Sequence, residues 1–190
     1  LRFVLRLLLS IAVALSVGFG LSYYVLTDGR VFSVTQIGPW ISWPDVGANT
    51  PNPYTRAYLA RTASFQLGQA EGLRFTADSD SDGEPLTLSC NYLVSGKTPL
   101  ASFWTLVALD ANGVNLAAPD SSPAVRNSDL VRPEDGSILL TVGPHLAPGN
   151  WLELTGTGPF QLVLSLYDTA AFSGFSSDAS MPSIRRGDCT

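Results

Sequence analysis

The chain has 190 residues, enough for one domain with a substantial core and a membrane anchor. Only 14% of residues are charged, and the first 26 carry no charges but Arg2 and Arg6; the rest holds nine Lys/Arg against 16 Asp/Glu, a net charge near −7. Such an acidic body lacks the basic stripe that neutralises phosphates, which excludes a nucleic-acid partner.

Residues 1–27 read as an N-terminal transmembrane anchor. From Leu7 to Leu26 no residue is charged, and roughly 20 apolar residues cross the hydrocarbon of a bilayer as a helix. Arg2 and Arg6 precede the run and Asp28 follows it. The positive-inside rule then keeps the N-terminus in the cytoplasm and exports residues 28–190, giving a single-pass inner-membrane protein with its domain in the periplasm. Tyr23 and Tyr24 stand where an interfacial aromatic belt belongs. A cleaved signal peptide is the rival reading, with Gly18-Phe19-Gly20 offering small residues to a peptidase. The length of the apolar run favours the anchor.

Beyond the anchor, Val31–Ile37 reads as a short strand, followed by the irregular, aromatic-rich Gly38-Pro39-Trp40-Ile41-Ser42-Trp43-Pro44. Asn52-Pro53 forms a helix start, with Asn as N-cap and Pro in the first turn. Tyr54, Ala57, Tyr58, Arg61, Thr62 and Phe65 recur at helical spacing, predicting one amphipathic helix near 53–70 that ends at Gly68 or Gly72.

The period then changes to two. Leu73, Phe75 and Ala77 share one face of a strand. Leu86, Leu88, Cys90, Tyr92 and Val94 share another, as do Ile138, Leu140 and Val142, and Phe160, Leu162, Leu164 and Leu166. Phe103–Leu109 is apolar at successive positions, as in a central strand covered on both sides. Asp82-Gly83, Ser95-Gly96, Asn112-Gly113, Asp135-Gly136 and Pro148-Gly149 supply turns. About eight strands at this spacing predict a mainly β fold, a jelly-roll-like β-sandwich with one leading α-helix.

The candidate functional residues are few. Cys90 and Cys189 form an even pair in an exported chain, which favours a disulfide over two separate thiols. His145 is the only histidine. It sits in a loop with no Gly-x-Ser-x-Gly elbow elsewhere to complete a triad, and reads as an exposed loop residue. Asp78, Asp80 and Asp82, followed by Gly83, match the opening half of a calcium loop. Ser89 stands where the bidentate Glu belongs, so a solvated hairpin turn competes with the metal reading. Trp40, Ile41 and Trp43 are candidate anchors for a protein partner, or core packing under the helix. No motif calls for a cofactor.

Several segments together resemble one family. They include Asn52-Pro53-Tyr54-Thr55-Arg56-Ala57, Glu71-Gly72-Leu73-Arg74-Phe75, Asp82-Gly83-Glu84-Pro85-Leu86 and Phe103-Trp104-Thr105-Leu106. Further on come Asp135-Gly136-Ser137, Pro148-Gly149-Asn150-Trp151-Leu152, Leu166-Tyr167-Asp168-Thr169 and Pro182-Ser183-Ile184-Arg185-Arg186. Over roughly residues 37–190 the chain looks like the bacterial domain of unknown function 1214 family. The resemblance implies a jelly-roll sandwich with a leading helix and no settled activity. It also implies a frequent N-terminal companion, the domain of unknown function 1254, whose place the anchor takes here. Glu153 and Ser165 depart from the family pattern, where proline and arginine are usual. The resulting expectation is a non-catalytic, membrane-anchored envelope module that binds a protein partner. A polysaccharide hydrolase or carbohydrate-binding module is the alternative.

Overall fold

The computed structural model describes residues 2–28, 34–43, 46, 50, 52–62, 67, 71–169 and 180–189. Helix α1 spans Arg2–Asp28. At 1.5 Å per residue it is about 40 Å long, and it is long and apolar enough to cross a membrane. Its large apolar side chains lie open, from Phe3 through Tyr24.

Helix α2 is Pro53–Thr62. Asn52 caps it as expected: its Oδ1 accepts the Tyr54 amide at 2.9 Å, and its carbonyl accepts the Arg56 amide. The expected end at Gly68 lies outside the described residues. The buried face differs from the predicted one. Thr55 is buried while Tyr54, Ala57 and Arg61 are exposed. Tyr58 is half-buried and stacks on Trp43, with ring centroids 5.6 Å apart. The helix therefore meets the body through Thr55 and Tyr58, and Arg61 turns towards α1.

The body is mainly β, in two sheets. Ten strands are described: β1 Thr35–Ile37, β2 Trp40–Ser42, β3 Gly72–Ala77, β4 Cys90–Gly96, β5 Ala101–Leu109, β6 Val125–Arg126, β7 Ile138–Gly143, β8 Asn150–Glu153, β9 Gln161–Thr169 and β10 Ser183–Cys189. One sheet has the order β1-β2-β3-β9-β5-β6 and the other β10-β4-β7-β8. Phe75, Leu106, Leu164 and Leu166 from the first sheet share one core with Tyr92, Val94, Leu140 and Ile184 from the second. Each such side chain contributes about 1.5–3 kcal/mol of hydrophobic stabilisation.

Three strand expectations change. The stretch Leu86–Ser89 is not strand: Thr87 makes an isolated bridge to Pro159, and the Cys90 amide closes a turn on the Thr87 carbonyl. Leu86 and Leu88 are buried nonetheless, because the turn keeps the inward alternation. Ser95-Gly96 is the end of β4 rather than a turn, with Gly96 opposite Ile138. Strand β5 is covered on one face only. Trp104, Leu106 and Ala108 are buried, whereas Phe103 is 36% exposed and Thr105 and Val107 half-buried.

Strands β7 and β8 run parallel, joined by only residues 144–149. Parallel neighbours normally need a longer crossover. The register explains the exception. Asn150 pairs with Leu140, so the chain climbs back only three residues of strand, about 10 Å. Asn91 pins this crossover: its Nδ2 donates to the His145 carbonyl at 2.8 Å and its Oδ1 accepts the His145 amide at 3.0 Å. Trp151 Nε1 donates to the Gly143 carbonyl at 3.1 Å.

Candidate functional site

The acidic stretch forms a tight hairpin turn. The Gly83 amide bonds the Asp80 carbonyl, and the Asp80 amide the Glu84 carbonyl. Gly83 takes a φ of +90°, which favours glycine. Asp80 is buried at 3% exposure. Its Oδ1 accepts the Asp82 amide at 3.0 Å and the Glu84 amide at 2.9 Å, and its Oδ2 lies 3.6 Å from Arg186 Nε. Ser81 exchanges two hydrogen bonds with Ile184. The turn thus fastens β10, and the Asp80 carboxylate is committed to amides and an arginine. Asp110-Ala111-Asn112-Gly113-Val114 repeats the geometry, with Asp110 Oδ1 accepting the Asn112 and Val114 amides at 2.8 Å. The Val114 amide is the main reason that the Asp110 carboxyl sits below its usual 3.8, with the Asn112 and Gly113 bonds adding to it and desolvation opposing. Asp78 and Asp110 line one small cavity of about 280 Å³ with Phe160 and Gln161. No group of three His, Cys, Asp or Glu side chains is gathered for a metal among the described residues.

Cys90 and Cys189 form a disulfide, closing a sequence separation of 99 and tying the end of β10 to the start of β4. The three aromatic-segment candidates are internal. Trp40 is fully buried and its Nε1 donates to the Pro182 carbonyl at 2.7 Å. Ile41 and Trp43 are 6% and 7% exposed. So buried, they offer little surface to a partner, and core packing is the reading that their burial fits. Trp104 is also core. The physical reason is topological: Trp40–Ser42 pairs as β2 into the larger sheet and does not stand as a loop edge.

His145 is half-buried, which corrects the exposed-loop expectation. Its Nε2 is enclosed without a hydrogen-bond partner among the described residues, and its backbone is held by Asn91. No serine, threonine or carboxylate bonds the imidazole among the described residues, so no nucleophile–base pair is assembled. Glu153 pairs with Gly143 on β7, and Ser165 lies directly opposite Arg74 on β3. Burial holds the Arg74 guanidinium below its ordinary pKa, partly offset by Tyr167, and its Nε has no hydrogen-bond partner among the described residues.

The feature that the sequence reading missed is an apolar groove of about 510 Å³ beside the smaller sheet. Leu93, Val131, Pro133, Leu139 and Thr141 line it with Arg132 and Asn150. Val131 is 79% exposed and Leu139 49%. Asn150 builds one wall, donating to the Val131 and Leu139 carbonyls and accepting the Val131 amide. Its trace in the sequence is slight. Leu93 and Leu139 are apolar at positions where alternation demands outward, polar residues.

These features define a two-sheet β protein with a leading helix, a stapled C-terminal strand and an apolar groove. Residues 71–171 match the family described as "Protein of unknown function (DUF1214)", and the chain belongs to that family. The crystal structure of the VPA0106 protein from Vibrio parahaemolyticus is similar in fold, with a TM-score of 0.58 and 20% identity, over 74% of this chain and 36% of that one. The chain therefore spans about a third of that protein's length. An uncharacterized protein from Burkholderia cenocepacia aligns at a TM-score of 0.45 and 13% identity, over 92% of this chain and 42% of that one. No curated protein matches the chain.

Proposed function

We propose that the chain is a non-catalytic module, held in the inner membrane by α1 with its sandwich in the periplasm, that binds a protein partner. The groove at Leu93, Val131 and Leu139 carries this reading, because exposed apolar concavities on a soluble body mark interaction sites. The disulfide supports an oxidising compartment for the sandwich. In the Vibrio protein the same fold is one part of a longer chain. A complementary surface towards a neighbouring domain fits that arrangement, and a protein bearing the family's companion domain is the natural partner. The buried tryptophans speak against a sugar-stacking platform.

A photo-crosslinking side chain at Val131, in membranes from cells making the full chain, tests the proposal. One defined protein adduct, abolished by Leu139→Glu, is the expected result. Both positions are exposed enough for the fold to tolerate the changes. No protein adduct, or one indifferent to Leu139→Glu in a folded chain, overturns it.

A further inference from the structure

We infer that α2 is a headgroup-binding helix that lays the sandwich against an anionic lipid surface. The inference rests on α1 spanning the bilayer. The uncharged run Leu7–Leu26 then sets Tyr23 at the boundary between hydrocarbon and headgroups. Arg61 stands over the Tyr23 ring at 5.6 Å, and its Nη1 donates to Thr27 Oγ1 at 3.3 Å. Its guanidinium is thereby fixed at headgroup level, and α2 with it.

The chemistry of α2 suits that place. Its sequence, PYTRAYLART, holds Arg56 and Arg61 and no acid, and no Asp or Glu occurs from Val46 to Ala70. Both arginines are exposed, and neither is ion-paired among the described residues. Tyr54, 48% exposed, adds an amphipathic ring of the kind found at membrane interfaces. Thr55 and Tyr58 face the body, so the arginine side is the one left open. The exported part is otherwise strongly acidic and is repelled by an anionic surface. The cations gathered where the chain leaves the membrane are the groups that can meet lipid phosphates, which a guanidinium binds through two parallel hydrogen bonds.

The test uses the full chain in nanodiscs of phosphatidylcholine, with and without phosphatidylglycerol, read by hydrogen exchange at α2 amides. Each arginine near a charged surface shifts the equilibrium about fivefold, the equivalent of about 1 kcal/mol. The anionic lipid is expected to slow α2 exchange by that factor per arginine and to lose the effect at high salt. Arg56→Ser halves the response on a logarithmic scale, and Arg56→Ser with Arg61→Ser removes it. Arg56→Lys with Arg61→Lys retains most of it. Protected β9 amides show that the variants are folded. Equal exchange in both lipids, or an undiminished response in the double serine variant, overturns the inference. So does equal protection by inorganic phosphate in neutral discs, which would make the ligand a soluble anion. Carbonate extraction of proteoliposomes separates the two readings. Release of the chain defeats the spanning reading, whereas a retained chain without lipid response defeats only the role of α2.

Discussion

Asp80→Ala tests whether the acidic turn is a structural fastener or a calcium site. The change removes a carboxylate that is 3% exposed and accepts two backbone amides, at 3.0 and 2.9 Å. Hydrogen bonds to a charged acceptor contribute about 1.5–3 kcal/mol each. The low end applies, because Asp82 and Glu84 are exposed and their amides can turn to water. The Arg186 contact at 3.6 Å, with that side chain 35% exposed, adds no more than about 0.5–1 kcal/mol after screening. The expected loss is about 3–4 kcal/mol, from a turn that also holds Ile184 through Ser81. Asp80→Asn keeps one acceptor and is expected to lose about half as much. Urea unfolding of the full chain in detergent, followed by the fluorescence of the buried Trp40 and Trp104, measures both. Calcium is expected to leave the midpoints unchanged. A loss under about 1 kcal/mol, or a calcium-dependent gain in the wild type that Asp80→Ala abolishes, refutes the reasoning.

Replacing Cys90 and Cys189 by alanine releases a loop with a sequence separation of 99. The chain-entropy estimate for such a loop is about 4.7 kcal/mol, and about 3–4 kcal/mol is the expected loss in the same unfolding assay, since β10 still pairs with β4. Trp40→Phe strands the buried Pro182 carbonyl and is expected to cost about 2–3 kcal/mol; an unchanged midpoint would refute this. The Asp110 carboxyl, with its folded pKa below 3.8, contributes stability that is complete above that value and is lost as pH falls through the lower folded value. NMR titration is expected to find its midpoint below 3.8, and a midpoint at or above 3.8 contradicts the turn geometry.

Much of the fold is local and was legible in the residues. The apolar run of α1, the Asn52 cap and the period-two faces of Phe75, Tyr92, Leu140 and Leu164 each follow from neighbours in sequence. The cysteine pair followed from even count and expected export. Strand β10 escaped notice because it is an edge strand, and its only fully buried side chain is Ile184. Strand β2 escaped notice because three residues are too few to show a period.

The candidate site was not legible, for a different reason. Whether Trp40 or Trp43 meets solvent depends on β2 entering the larger sheet and on Tyr58 of α2 stacking against Trp43, contacts made between separate elements. The groove joins residues from four separate segments, and only strand register and the Asn150 bonds bring Leu93, Val131 and Leu139 together. The sequence alone determined the elements and their apolar faces, because hydrophobic period and capping act within a few residues. The partners of those faces, the burial of Asp80 and the stance of Arg61 on Tyr23 were decided only by tertiary structure, since packing between distant segments has no periodic signature.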